Sequence, residues 1–187
     1  MSDKRLLIVY ASRYGSTEAT VKDIAKYIKD KNIQTEVVNL KEIKKKNWPK
    51  IKDYDGIIVG SGIKMGKWTN KTKKFLKGNK SEIESENKKL FLFVSCTQIL
   101  TDPEGAKESY LDKKIEKFGV KPDLSRAFGS ILDFSEESRM GRFGKWAFKK
   151  GMEEDSDLDL DYEARNDLRD MDRIYKFADK VISMLNE

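Results

Sequence analysis

The sequence predicts an α/β fold: a doubly wound sheet of five parallel strands in the order 2-1-3-4-5, with helices on both faces. Short apolar runs alternate with longer stretches of helical period, which is the pattern of repeated βα units. Polar, hydroxyl-rich segments follow three of these runs, at the edge where doubly wound sheets bind ligands. The 187 residues are enough for one domain with one ordinary core, and we expect a single domain over residues 1–187.

The first three strands are predicted over residues 6–11, 35–40 and 55–61. The first and third are nearly continuous apolar runs, typical of buried parallel strands, and the second alternates, which indicates an edge strand. A helix over residues 17–31 places apolar side chains on one inner face. The charged segment 41–53, which contains Trp48-Pro49, is predicted as a short helix and a loop.

The second half is predicted to continue the alternation. A helix over residues 67–78 leads to a buried strand at 89–95, and a helix over 103–118 follows, with Pro103 in its first turn where a missing N–H costs nothing. The fifth strand is predicted over 126–134 and the closing helix over 164–185. Residues 135–163 form an insert that is too long for a simple βα loop.

The composition excludes several kinds of chemistry. The chain has no histidine and one cysteine, Cys96, so histidine triads, most mixed-ligand zinc sites and thiolate metal clusters are excluded. Redox chemistry would therefore come from an organic cofactor. The lone cysteine fits a reducing cytoplasm, and the N-terminal apolar run is too short for a signal peptide, so we expect a cytoplasmic protein.

The net charge of +6 arises from 38 basic and 32 acidic residues that are interspersed. We therefore interpret the lysine-rich faces as solvated helix surfaces. No nucleic-acid-binding motif is present, and we expect no nucleic-acid partner.

The segment 12–17 after the first strand is predicted to bind an anion. Gly15 lets the backbone approach a bound group, the hydroxyls of Ser12, Ser16 and Thr17 are donors, and the first amides of the following helix point into the same space. The segment lacks the lysine of a triphosphatase loop and the glycines of a dinucleotide site, which favours a monophosphate. The alternative is an ordinary helix cap.

Two further loops leave the same edge. Residues 61–68 contain two glycines, so a peptide there can turn toward a flat ring, although glycine in a tight connection is the alternative. Met65 and Trp68 could pack on a ring, while a tryptophan at a helix start is more often part of the core. Residues 95–102 begin with small polar side chains, and Cys96 is more often a buried filler than a nucleophile.

These loops resemble a known family. Residues 10–17, YASRYGST, resemble the flavodoxin phosphate loop. Residues 59–66, VGSGIKMG, resemble the second flavin loop of the flavodoxin-like branch that includes the bacterial flavodoxin-type protoporphyrinogen oxidases. The resemblance extends over nearly the whole chain.

The resemblance implies one non-covalent FMN. It implies that the phosphate is held by Ser12, Arg13, Tyr14, Gly15, Ser16 and Thr17. It implies that the isoalloxazine is bordered by Ser61, Gly62, Ile63, Lys64 and Met65, with Gly62 as the peptide that changes orientation. It implies that the pyrimidine edge is lined by Ser95, Cys96, Thr97 and Gln98.

The function implied by this resemblance is electron transfer between redox proteins, or from a small reductant. The alternative is a flavin-dependent oxidoreductase of the protoporphyrinogen oxidase type, linked to a quinone. Carrier flavodoxins usually flank the ring with aromatic side chains and are acidic, and this chain departs from both patterns. A response-regulator-like switch would need acidic residues where Ser12 and Ser61 stand.

The insert has two halves of opposite charge. Over residues 138–152, basic residues alternate with large apolar ones, which predicts an amphipathic helix: a lid packed on the domain, a peripheral contact with an anionic membrane, or a docking site for an acidic partner. An acidic run follows, for which we expect a solvated surface rather than a metal site. It comprises Glu153, Glu154, Asp155, Asp157, Asp159, Asp161 and Glu163.

Overall fold

A computed structural model describes residues 4–86, 88–153 and 158–187. Five parallel strands form the main sheet: β1 (Arg5–Ala11), β2 (Gln34–Asn39), β3 (Gly56–Gly62), β4 (Lys89–Ser95) and β5 (Leu124–Phe128). Their order is β2-β1-β3-β4-β5, so the predicted topology is confirmed, with β2 at an edge.

Helices cover both faces of the sheet. One face carries α1 (Ser16–Asp30) and the C-terminal α6 (Met171–Asn186), and the other carries α2 (Asn70–Ser85), α3 (Pro103–Lys107) and α4 (Lys113–Phe118). Leu7 and Val9 of β1 pack in one layer, while Leu6 and Ile8 pack in the other. Burial on both faces explains why this strand is an uninterrupted apolar run.

The strand register brings three loops to one edge. Ala11 of β1 pairs with Ser61 of β3, and Gly62 pairs with Ser95 of β4. Because parallel strands end on the same side, the segments 12–17, 61–68 and 95–102 start within one short stretch of the carboxyl edge. We call them the first, second and third loops.

The predicted fifth strand, 126–134, is wrong in its second half. The chain leaves the main sheet after Phe128, and a separate strand, β6 (Ile131–Asp133), pairs antiparallel with β7 (Arg165–Asp167). Gly129 allows this departure, because a β-carbon there would lie 2.1 Å from the carbonyl oxygen of Leu168. The two short strands bracket the insert, whose helix is α5 (Arg142–Glu153).

The predicted closing helix, 164–185, begins too early. Residues 165–167 are strand, and α6 starts at Met171, where the Asp170 carboxylate accepts a hydrogen bond from the Arg173 amide at 3.0 Å. This is a side-chain N-cap of the usual kind. The acidic run begins at Glu153, the last residue of α5, and its residues 154–157 lie outside the described residues.

Three other boundaries differ from the sequence predictions. The helix predicted over 67–78 occupies Asn70–Ser85, because Lys67 closes a tight turn with Lys64. The helix predicted over 103–118 is interrupted by a π-helical turn at Glu108–Asp112. Segment 41–53 forms two 3-10 turns, Lys45–Asn47 and Ile51–Asp53. Within the described ranges, no helix combines the length and apolarity needed to cross a bilayer.

We predict that Gly129→Ala destabilises the protein by about 3 kcal/mol, because the new methyl group meets backbone that cannot rotate away. Urea unfolding measures the difference. Gly78→Ala is the matched control: no atom lies within 4 Å of its β-carbon position in α2, so it should stabilise by ~0.5–1 kcal/mol. Equal effects of the two variants would contradict this account of the β5–β6 junction.

Candidate functional site

A cavity of about 620 Å³ opens at the carboxyl edge of the sheet. It lies within the range of roughly 300–1,000 Å³ that is usual for small-molecule sites. The three loops form one side, and β6 with α5 forms the other. The cavity is therefore shared between the core fold and the insert.

Most of the predicted site residues line this cavity. Gly15 and Ser61 do not, although both support it. The Ser61 hydroxyl is fully buried and accepts hydrogen bonds from the Thr69 amide (3.0 Å) and the Thr72 hydroxyl (3.2 Å), so it anchors the end of the second loop. The predicted residues that line the cavity are Ser12, Arg13, Tyr14, Ser16, Thr17, Gly62, Ile63, Lys64, Met65, Ser95, Cys96, Thr97 and Gln98.

The first loop is built around Gly15. Its φ of 97° lies in the left-handed region, which a side chain would strain. The Gly15 amide donates to the Ser12 hydroxyl oxygen at 2.9 Å, and Lys41 Nζ donates to the Ser12 carbonyl, also at 2.9 Å. These contacts fix the turn between β1 and α1.

The N-terminus of α1 faces the cavity with unused donors. The first helical hydrogen bond runs from the Ala19 amide to the Gly15 carbonyl at 2.9 Å, so the amides of Ser16, Thr17 and Glu18 precede the helical ladder. No side chain of the described residues caps this helix end. Together with the helix dipole, these amides favour an anion at the loop.

Two buried hydroxyls in the cavity wall have no hydrogen-bond partner among the described residues. They belong to Thr17, which is 1% exposed, and Ser95, which is 4% exposed. A buried polar group without a partner costs roughly 1–3 kcal/mol. Two such groups in one cavity fit a polar ligand that has more than one hydrogen-bonding group.

The second loop crosses the cavity rim as a tight turn. Lys64 and Lys67 exchange backbone hydrogen bonds of 3.2 and 3.0 Å, and Met65 and Gly66 between them have φ of 49° and 67°. Positive φ at both central positions defines a type I′ turn. The Met65 side chain is 88% exposed at this rim.

Gly62 is held at the other end of the same loop. Its carbonyl accepts a hydrogen bond from Arg13 Nη1 at 3.1 Å, which ties the first loop to the second. Burial lowers the pKa of Arg13 below its ordinary value. A β-carbon on Gly62 would stand 3.1 Å from Thr17 Oγ1, so these two loops are in close contact.

The third loop contributes small polar groups and a buried thiol. The Cys96 amide donates to the Phe128 carbonyl at 3.0 Å, and the hydroxyls of Thr97 and Ser130 share a hydrogen bond of 2.8 Å. Burial raises the pKa of the Cys96 thiol to about 11, so it is protonated at neutral pH. A protonated thiol is a poor nucleophile, which agrees with the interpretation of Cys96 as a filler.

Trp68 is a core residue, as its position at a helix start indicated. It is 1% exposed, its indole N–H donates to the Tyr110 carbonyl at 2.6 Å, and its ring meets Phe118 edge-on at 5.4 Å. It does not line the cavity.

The wall formed by the insert was missed as a set of site residues. Its spacing is i, i+3, i+4, i+7 and i+8, the signature of one helical face, so the signal was present in the sequence. The lining residues near β6 were not predicted because the sequence pattern placed them in a continuous fifth strand. The lining residues that were not predicted are Gly66, Tyr110, Ser130, Ile131, Leu132, Met140, Phe143, Gly144, Ala147 and Phe148.

Comparison with known proteins identifies the family. A family model described as a flavodoxin domain matches residues 7–159, which is most of the chain. The chain belongs to the flavodoxin domain family. It is 23% identical over 142 residues to protoporphyrinogen IX dehydrogenase (quinone) of Escherichia coli K12, covering 74% of this chain and 75% of that protein.

Solved structures show the same fold. A short-chain flavodoxin associated with a non-canonical PDU bacterial microcompartment has a TM-score of 0.56 at 13% identity, covering 97% of this chain and 99% of that chain. Rubredoxin oxygen:oxidoreductase from the anaerobe Desulfovibrio gigas has a TM-score of 0.59 at 16% identity, covering 97% of this chain. This chain spans only 36% of that longer protein.

We predict that Thr17→Val leaves the ligand-free protein as stable as the wild type or more stable, because it removes an unpaired buried hydroxyl. Thr72→Val is the matched control, since the Thr72 hydroxyl is equally buried but bonded to Ser61 and Thr69. It should destabilise by about 1–2 kcal/mol. Urea unfolding of flavin-free protein compares them, and a Thr17→Val loss as large as that of Thr72→Val would show that the Thr17 hydroxyl has a protein partner.

Proposed function

We propose that this protein binds FMN in the cavity and transfers electrons between redox partners. The observation that carries the proposal is the unpaired, buried hydroxyl of Thr17 beside the uncapped N-terminus of α1. An anion at this position would meet both the hydroxyl and the free amides. Membership of the flavodoxin domain family supports a flavin mononucleotide as the bound molecule.

The first loop would hold the phosphate without a lysine or a metal ion. The backbone amides at the start of α1 and the Thr17 hydroxyl are available as donors. The hydroxyl oxygens of Ser12 and Ser16 accept hydrogen bonds from Gly15 and Ile131, both at 2.9 Å, so each hydroxyl hydrogen is still available to donate. The proposed donors are therefore neutral groups, and the two serine hydroxyls are held in place by hydrogen bonds.

The ring would lie between the polar edge of the sheet and the apolar face of α5. Ser95 offers an unpaired hydroxyl on the polar side, and Phe143 and Phe148 line the other. In this proposal, the wall would take the place of the aromatic residues that usually flank the ring in carrier flavodoxins. When bound, FMN supplies the capacity to accept and release one or two electrons, and the protein binds it, orients it and excludes water.

The backbone peptide group that would change its orientation beside the flavin ring is better assigned to Met65–Gly66 than to Gly62. The Gly62 carbonyl is held by Arg13, whereas Met65–Gly66 is the central peptide of the type I′ turn at the rim. A central turn peptide can rotate while the flanking hydrogen bonds persist. This assignment replaces the sequence-based expectation for Gly62 in our proposal.

The partner would approach where the cavity opens. Met65 and Phe143 both line the cavity and are 88% and 78% exposed, so the rim is partly apolar. Redox proteins or a small reductant fit such an opening. We propose a cytoplasmic location, which the single, buried cysteine supports.

We further propose that residues 1–187 act as one domain with an insert at about 135–163. The antiparallel pairing of β6 with β7 supports this, because it closes the insert at its base. The contribution of α5 to the cavity supports a lid function for the basic half of the insert.

A second candidate is a quinone-linked oxidoreductase. The similarity to protoporphyrinogen IX dehydrogenase (quinone) of E. coli supports it, as does the insert wall over the cavity. The exposed rings of Phe143 and Trp146, with centroids 5.7 Å apart on a basic helix, would suit a peripheral contact of residues 138–152 with an anionic membrane. Oxidation of protoporphyrinogen with added menaquinone or ubiquinone tests this candidate, and turnover at a rate far above the uncatalysed reaction would favour it over the carrier.

We predict that the purified protein is yellow and that acid releases FMN and not FAD.

Thr17→Val should weaken the binding of FMN by about 10–100-fold, which is the effect of losing one hydrogen bond to a charged group. It should leave the affinity for riboflavin nearly unchanged. Titration of flavin fluorescence with apoprotein measures both. A protein that does not bind added FMN would overturn the proposed function, and equal losses for the two flavins would overturn the phosphate assignment.

A further inference from the structure

An ion pair joins the insert to the helix that carries the anion site. Arg139 Nη1 lies 2.7 Å from Glu18 Oε2 in the first turn of α1. The same nitrogen is 3.9 Å from the position that a β-carbon on Gly15 would occupy, so the guanidinium lies over the first loop. The hydrogen bond from Arg139 holds the pKa of Glu18 below its ordinary value.

Three other hydrogen bonds of residues 135–145 run within the insert or to β6 in the part of the chain that the structure describes. The Ser138 hydroxyl donates to the Asp133 carbonyl, the Met140 amide donates to the Ser138 hydroxyl, and Lys145 Nζ donates to the Ser135 carbonyl. They give the segment its local shape without attaching it to α1. The Arg139–Glu18 pair attaches residue 139 to α1, in addition to the hydrogen bond that the Ile131 amide of β6 donates to the Ser16 hydroxyl at 2.9 Å.

The position of Arg139 in the chain connects the ion pair to the cavity wall. Met140, the next residue, is 5% exposed and lines the cavity, and α5 begins at Arg142. Holding Arg139 therefore fixes the point from which α5 starts. The apolar residues of α5 that line the cavity lie within two turns of this point.

We propose that Arg139 is a positioning residue whose ion pair with Glu18 holds α5 against the cavity. In the wild type, a bound flavin is then released only after the ion pair opens. In a variant without the ion pair, the flavin is released faster. The flavin part of the inference rests on the proposed function, while the positioning of α5 does not. Because Phe143 and Phe148 of α5 line the cavity away from the first loop's hydroxyls and amides, we expect the effect for flavins with and without a phosphate.

The first measurement is amide hydrogen exchange of the flavin-free protein. In Arg139→Ala, the amides of α5 should exchange about threefold faster, the size expected from losing an exposed ion pair, while those of α6 keep the wild-type rate. Arg139 is 61% exposed, so the substitution leaves the core intact. Lys22→Ala is the matched control: Lys22 Nζ also contacts Glu18, at 3.0 Å, but from the same helix.

The second measurement is the rate of riboflavin release, which isolates the ring side from any charge effect on a phosphate. Arg139→Ala and Glu18→Ala should each raise it about threefold, and the double variant should show no further increase, because both substitutions break one interaction. Lys22→Ala should release riboflavin at the wild-type rate.

Three results would overturn the proposal. Unchanged α5 exchange in Arg139→Ala would show that the ion pair does not position the helix. Equal effects of Lys22→Ala and Arg139→Ala would indicate a general charge effect at Glu18, and weakened FMN binding with unchanged riboflavin release would make Arg139 a phosphate contact. Failure of the wild type to bind flavin would refute the proposed function alone, since the exchange measurement needs no ligand.

Discussion

The site depends on two buried hydroxyls, those of Thr17 and Ser95, that have no hydrogen-bond partner within residues 4–86, 88–153 and 158–187. They come from different loops and meet in one cavity because β1, β3 and β4 run parallel and end at the same edge. The equally buried Thr72 hydroxyl is bonded to Ser61 and Thr69, whereas these two hydroxyls have no partner among the described residues. Hydrogen-bond donors that are unpaired and already fixed in position allow a polar ligand to bind without a large rearrangement of the protein.

The insert changes the character of this cavity. The sheet edge supplies hydroxyls and amides, whereas α5 supplies an apolar wall that includes Phe143 and Phe148. The wall is attached at its base by the β6–β7 pairing and beside the anion site by Arg139. Retention of a ligand and access to the cavity mouth thus both depend on a segment outside the five-stranded core.

The sequence predicted the sheet because burial on both faces leaves an unmistakable apolar run, as in residues 6–11. It predicted the loops at the edge because parallel strands end together. It failed at residues 126–134, where the apolar pattern continues through Gly129, and only the approach of the Leu168 carbonyl shows that the chain turns away. It also failed to assign α5 to the cavity, because periodicity identifies an apolar face but not the surface against which that face packs.

The central claim is that one cavity, walled by the three loops and by α5, binds FMN with its phosphate at the start of α1. The most direct measurement is amide NMR of uniformly 15N-labelled apoprotein titrated with FMN. We expect the largest chemical-shift changes at residues 12–17, 62–66, 95–98 and 140–148, and we expect riboflavin to reproduce all of them except those at 12–17. Chemical-shift changes concentrated at other residues, or the absence of shift changes in α5, would contradict the claim that this cavity binds FMN.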